Sequence, residues 1–197
     1  PRLKDARLCG TTASLTGLET ARIANDKAAV RDAVRFDLML HAFMFTLSGT
    51  PVLYSGDEVA QENDNAYHDD PLKADDSRYL HRGNFDWRRA GRRHMKNTVP
   101  GRIFGGIMKM KELRKEHRVF DADADMWLLE TGNIKVLGIG RYYQGEKLLA
   151  FFNFSDREEV ARVPDIDRYE NLMDGSTVDG AAVSIPAGGF LWLRKEF

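Results

Sequence analysis

Hydrophobic positions follow two different spacings along the chain, and the change falls near residue 118. Before it, apolar residues recur at helical intervals. Val30, Ala33, Val34, Leu38, Met39, Leu40, Phe43 and Leu47 line one face behind an N-cap at Asn25 or Asp26, which predicts a long helix. Arg31, Asp32 and Arg35 crowd its first half, whereas the run LMLHAFMFTL is apolar nearly all round and is expected to be buried on most sides. His41 lies inside that run and reads as a satisfied core residue rather than a ligand. Thr98 is placed to cap a second helix with Pro100 in its first turn and Ile103, Phe104, Ile107, Met108 and Leu113 as its stripe. Its wet face carries Lys109, Lys111, Arg114 and Lys115, which also suit a helix C-terminus. A short helix is expected after Gly10, capped by Thr11 or Thr12.

Between the two long helices, SGTPVLYSGDE reads as a short buried strand, Pro51 to Tyr54, emptying past Gly56 into a loop that carries Asp57 and Glu58. Such a strand and loop suit the C-terminal rim of an α/β barrel, and an ordinary strand and turn fits the same residues. The polar stretch from Gln61 to Pro100 has little helical period and is punctuated by Tyr67, Tyr79, Phe85 and Trp87. A loop of that length inside a domain is functional or disordered, and its aromatics and alternating charge favour an ordered, functional one. Beyond Phe120 come MWLLE, IKVLGIGRYY, EKLLAFFNFS, EEVARV, VSIP and FLWLR, separated by Gly, Asn, Asp and Pro turns. These predict an antiparallel β-sandwich of roughly eighty residues, with Trp127 and Trp192 in buried runs. The expected domains are therefore 1–118 and 119–197.

Composition narrows the function classes. A net charge of −1 over 197 residues argues against a nucleic-acid or membrane-surface partner. The lone Cys9 forms no intrachain disulfide and supplies no thiol set for zinc, which suits a reducing, cytoplasmic compartment. No uncharged apolar segment reaches bilayer length. The opening Pro1-Arg2-Leu3-Lys4-Asp5 lacks both a secretory pattern and an initiating Met, which fits a piece of a longer protein.

Few motifs carry chemistry. Asp121 to Asp125 reads DADAD, but an EF-hand needs Gly and Glu where Met126 and Gly132 stand, so a solvated turn is expected. His68-Asp69-Asp70 reads as three solvated polar side chains rather than a metal site, and no phosphate loop, nucleophile elbow or HExxH occurs. No cofactor or metal is expected. What remains is the rim Asp57-Glu58, the pair Asp75-Asp76 and the arginines Arg7, Arg78 and Arg82. Carboxylates and guanidinium forks beside aromatic faces are the equipment of a sugar site, and surface salt bridging explains any one of them equally well.

With these residues in view, GTPVLYSGDE resembles the eighth-strand motif of the α-amylase clan of glycoside hydrolases. DARLCGTTASLTGL and DDSRYLHR are similar, more narrowly, to amylosucrases, and the order of parts agrees along essentially the whole chain. The resemblance implies the C-terminal part of a (β/α)8 barrel followed by a C-terminal antiparallel β-sandwich. It also implies a retaining double displacement on sucrose that passes glucose to an α-glucan acceptor and releases fructose. In that scheme two carboxylates stand about 5–5.5 Å apart. The motifs bearing those catalytic acids precede Pro1, so no catalytic residue is carried over and the missing N-terminal barrel portion becomes the implied partner. His68-Asp69-Asp70 follows the eighth-strand motif and is rejected as the family's histidine-aspartate pair.

Two residues do match binding positions. Arg78 corresponds to an arginine that pairs with an upstream Asp to close the glucose pocket, and Arg7 to one near the acceptor side. Asp57 and Glu58 are expected to support the barrel rim. The longer stretch between Leu18 and Gly49 and the sequence HRGNFDWRR depart from the amylosucrase pattern. An α-glucosidase or trehalose-synthase type enzyme of the same clan therefore stays open, as does a non-catalytic carbohydrate-binding module.

Overall fold

The computed structural model describes residues 9–196. In chain order it contains α1 (Thr12–Leu15), α2 (Leu18–Ile23), α3 (Lys27–Thr46), α4 (Trp87–Ala90) and α5 (Val99–Glu116). Eight strands follow: β1 (Asp125–Leu128), β2 (Val136–Tyr143), β3 (Glu146–Asn153), β4 (Glu159–Arg162), β5 (Arg168–Asn171), β6 (Thr177–Asp179), β7 (Ala182–Ile185) and β8 (Phe190–Glu196). Each predicted cap is made. The Thr11 hydroxyl accepts from the Ser14 N–H at 3.3 Å, Asp26 accepts from Ala28 and Ala29 at 2.9 and 3.0 Å, and Thr98 accepts from Gly101 at 3.2 Å. The chain divides into two units, one holding the residues up to Asp37 with Leu53–Gly105, the other Leu38–Val52 with Gly106 onward.

The second unit is built on antiparallel strands. Its larger sheet runs β1-β2-β3-β8-β5-β6, and β4 pairs with β7 in a separate two-stranded sheet. The alternation of side chains across β3 explains why both its faces are apolar. Leu149 and Phe151, with Leu193 of β8, turn into a core shared with Ala161, Val183 and Ile185 of the small sheet. Phe152, Phe190 and Trp192 turn the other way. There Phe43 of α3 meets Phe152 edge-on with ring centroids 5.5 Å apart, and Phe120 lies 4.8 Å from Trp192. Of these rings Phe120, Phe152 and Trp192 are fully buried, and each contributes about 1.5–3 kcal/mol. Gly106 of α5 lets that helix approach Leu38, whose side chain a Cβ would strike.

A polar knot fixes the end of α3 in this unit. The last carbonyls of a helix have no intrahelical donor, and two arginines supply them. Arg141, fully buried, donates to Thr46 O at 2.5 Å, Val119 O at 2.8 Å and Asp121 O at 2.5 Å. Arg114 donates to Phe45 O and, at 2.6 Å, to Gly49 O. The Thr46 hydroxyl donates to Ala42 O at 2.8 Å and accepts from Trp192 Nε1 at 2.9 Å. His41 is buried, and the DADAD segment forms a turn in which Asp121 accepts from the Asp123 N–H at 3.0 Å.

Two expectations are corrected here. Val52 to Tyr54 is not a strand: it joins no ladder among the described residues, and Val52 and Tyr54 are 78% and 49% exposed. A strand exists only through its partners, so an apolar β-branched run without neighbours stays irregular. Trp127 is not buried either. It lies on the edge strand β1 at 38% exposure, one ring face over Gly140 of β2, where a Cβ would collide with the indole. Trp192 is fully buried.

The first unit holds no strand among its described residues. Its long segment between Asp57 and Ala90 is a succession of single turns: Asp57–Val59, Asn65–Asp69, Ser77–His81 and α4. Side chains stitch these turns together. Asn63 accepts from the Thr11 N–H at 2.9 Å and donates to the Ser14 hydroxyl at 2.8 Å, while Gln61 donates to Asn84 O at 3.1 Å. Asn and Gln amides used in this way replace the ladder that a strand would supply.

Candidate functional site

The chemistry-bearing residues singled out from the sequence fall on these turns. Gly56 starts the first with a φ of 104°, and a Cβ there would meet the Gln61 side chain. The Glu58 carboxylate folds back to accept from the Gly56 N–H at 2.9 Å, and the Asp57 N–H donates to Tyr54 O at 3.0 Å. Glu58 thus braces its own turn. Asp57 is half-buried beside it.

Arg78 lies on the Ser77–His81 turn, and its guanidinium grips Asp76, the cap of that turn. Nε donates to both Asp76 oxygens at 2.8 and 3.0 Å, and Nη2 to Oδ2 at 2.6 Å. The Arg78 guanidinium, helped by the Arg78 backbone N–H, holds the Asp76 carboxyl at about 2. The pair is solvent-exposed, so its contribution to stability is small. The remaining nitrogen, Nη1, has no bond among the described residues. On the same turn His81 packs edge-on to Tyr54 at 5.7 Å, and its buried Nδ1 has no hydrogen-bond partner among the described residues. Arg7 lies outside the described residues. His68, Asp69 and Asp70 do not converge, and no described cluster of His, Cys, Asp or Glu is arranged to hold a metal.

A second constellation was not singled out from the sequence. Glu62, largely buried, receives Arg22 through Nε and Nη2, both at 2.6 Å, and Arg89 Nη2 at 2.5 Å. Burial pushes the Glu62 carboxyl up, but the bonds and charge of the two guanidiniums outweigh it, and its pKa lies below the ordinary 4.5. Arg89 also donates to Ala60 O at 2.5 Å. Ala60 has a φ of 55°, a left-handed conformation that costs a non-glycine residue about 1–3 kcal/mol, and this clamp helps to hold it. Asp86 caps α4 by accepting from the Arg89 N–H at 2.9 Å. Beside the triad opens a cleft of about 990 Å³ lined by Arg22, Lys27, Arg88, Arg89 and Arg92 together with Glu62 and Asp86. The only sequence signal for it was the density of arginines in HRGNFDWRRAGRR, which gives no hint that Glu62, 27 positions before Arg89, and residues of α2 and α3 further back complete the walls.

No protein-family model matches the chain. Its fold is similar to parts of several solved enzymes. A maltogenic amylase from S. marinus superimposes with a TM-score of 0.56 at 20% identity over 82% of this chain and 19% of its own. An α-amylase from Anoxybacillus gives 0.55 at 18% identity, over 83% and 32%. A mutant trehalulose synthase with Tris bound gives 0.61 at 14% identity, over 82% and 38%. The chain therefore spans less than two-fifths of each structure it resembles. The shared feature is a fold, the antiparallel, strand-rich C-terminal architecture of amylase-family enzymes. No helix among the described residues is long and apolar enough to cross a membrane.

Proposed function

We propose that this chain is the C-terminal portion of a retaining α-glucosyl-transferring enzyme that acts on sucrose, extends an α-glucan and releases fructose. The observation that carries the reading is the structural likeness, over 82–83% of this chain, to enzymes named as amylases and a trehalulose synthase. The segments DARLCGTTASLTGL and DDSRYLHR, which are similar to amylosucrases, favour the amylosucrase-like branch. In this reading residues 1–118 are the last helices and eighth strand of a (β/α)8 barrel, and 119–197 are its C-terminal sandwich. The rest of the barrel supplies the nucleophile and the acid, and its edges pair with Val52–Tyr54. Arg78, with Nη1 still open, takes an upstream carboxylate there and narrows the glucose pocket; Arg7 faces the acceptor. Asp57 and Glu58 brace the rim.

The test is sugar release when the complete protein meets sucrose. Fructose in clear excess over glucose supports transfer to a glucan, and equal amounts make the protein a hydrolase. A new disaccharide in place of free sugars means an isomerising enzyme, a second reading favoured by the likeness to trehalulose synthase. No consumption of sucrose removes that substrate. A non-catalytic glucan-binding role is favoured by a separate observation: Trp127 and Tyr142, at 38% and 42% exposure, stand on one face of the β1–β2 pair. Retention on insoluble starch that is lost in Trp127→Ala would support that role.

A further inference from the structure

We infer that the arginine-lined cleft of the first unit is a binding site for a small phosphate-bearing molecule, either inorganic phosphate or a phosphorylated sugar. Five cationic side chains and two carboxylates line it, an excess of three positive charges. The carboxylates are already engaged: Glu62 holds Arg22 and Arg89, and Asp86 caps α4. Lys27, Arg88 and Arg92 have no ion pair among the described residues. The chain as a whole has a net charge of −1, so this concentration of unmatched cations is not a by-product of a basic protein.

The backbone adds to the field. The first residues of α3 and α5, Lys27 and Val99, both line the cleft, and neither helix has an acid in its first turn. Helix N-termini carry partial positive charge and favour anions there; at α3 the Asp26 cap meets part of that charge, and Lys27 at the first helical position adds a cation beside it. An adjoining hollow repeats the arrangement with Arg31 and Arg102, which also lack ion pairs among the described residues; its one acid, Asp26, is spent capping α3. The volume is at the upper end of the range for small-molecule sites and far exceeds one ion. Guanidinium forks match the paired oxygens of a phosphate, and a concave wall suits a compact ester better than an extended acidic peptide.

The experiment is calorimetric titration of the full chain at low ionic strength with inorganic phosphate, glucose 6-phosphate and glucose. One saturable site for phosphate and glucose 6-phosphate, each competing with the other, and no heat from glucose is the expected result. Binding by phosphate alone names the free ion as the ligand, and tighter binding of the ester names the sugar phosphate. The double variant Arg88→Gln, Arg92→Gln should weaken binding by about tenfold or more. Both side chains are exposed and hold no bond among the described residues, so its far-UV circular dichroism should match the parent. Arg157→Gln, at an exposed position elsewhere, should leave binding unchanged. Three outcomes overturn the inference: no saturable heat up to about 10 mM ligand, equal binding by the double variant and the parent, or a hexaglutamate peptide that binds tighter than phosphate and displaces it.

Discussion

Replacing Thr46 by Val tests how the second unit joins its helix to its sheet. The two side chains are nearly the same shape and both branch at Cβ, so packing and helix propensity change little. What changes is one oxygen. The hydroxyl is fully buried, donates to Ala42 O at 2.8 Å and accepts from Trp192 Nε1 at 2.9 Å. The Ala42 carbonyl is in a helix and loses only a supplementary bond, whereas the indole N–H, on a fully buried ring, loses its acceptor. A buried donor left unpaired costs about 1–3 kcal/mol, and Thr46→Val should destabilise the chain by that amount. Thr46→Ser keeps the oxygen and removes a methyl, at about 1 kcal/mol. Trp192→Phe removes the donor itself, so in that background Thr46→Val should cost less by about 1–2 kcal/mol, the coupling between the two groups. Urea unfolding followed by far-UV circular dichroism measures the parent and all four variants. If Thr46→Val shifts stability by less than about 0.5 kcal/mol, or costs the same with and without the Trp192 N–H, the bond does not hold the helix to the sheet.

Other perturbations follow from the same geometry. Glu146 is buried and accepts from His117, the Val119 N–H and Arg194; burial raises its pKa, and those three bonds bring it below the ordinary 4.5. A carboxylate depressed in the folded state contributes stability fully present above 4.5 and lost as pH falls through its lower folded value. Glu146→Gln should therefore flatten the acid limb of the stability profile below about pH 4.5. Gly140→Ala should push the Trp127 indole off β2 and cost about 1–3 kcal/mol, read as a red-shifted emission with a lowered unfolding midpoint; an unchanged spectrum would contradict the packing. Amide exchange should be slowest in β3 and β8 and fast at Val52–Tyr54, which lacks a ladder; uniform protection across 50–120 and 120–196 would oppose this.

What was legible in the sequence was whatever local physics decides. Helix starts were legible at Thr11 or Thr12, at Asn25 or Asp26 and at Thr98, because a capping oxygen needs only the next three residues to act, and the structure uses Thr11, Asp26 and Thr98. EKLLAFFN read as a strand because a short apolar run between turns fits few other structures, and it proved buried on both faces. The strands β5 and β6 were missed: RYEN and TVD carry too little apolar alternation, and their pairing with each other and of β5 with β8 supplies the stability that their own residues lack. Val52–Tyr54 failed in the opposite sense, having the composition of a strand with no ladder to join among the described residues.

The candidate sites divide along the same line. Asp76 and Arg78 were each singled out from the sequence but not as a pair; they are two residues apart, and a capped turn is enough to bring guanidinium and carboxylate together. The Arg22–Glu62–Arg89 triad spans a helix and two separate turns, and no local rule relates its members. Its position depends on Asn63 pinning the Glu62 turn to α1 and on Arg89 clamping the strained Ala60. A buried carboxylate held by two arginines is a costly arrangement, since burial opposes the charged form and the bonds must overcome it. Here the two guanidiniums it orients form walls of the cleft, and the neighbouring cations Lys27, Arg88 and Arg92 have no ion pair among the described residues. A purely structural ion pair would have no need of Lys27, Arg88 and Arg92 beside it. A site that receives an anion needs both parts, the oriented pair to fix geometry and the unmatched cations to supply the attraction.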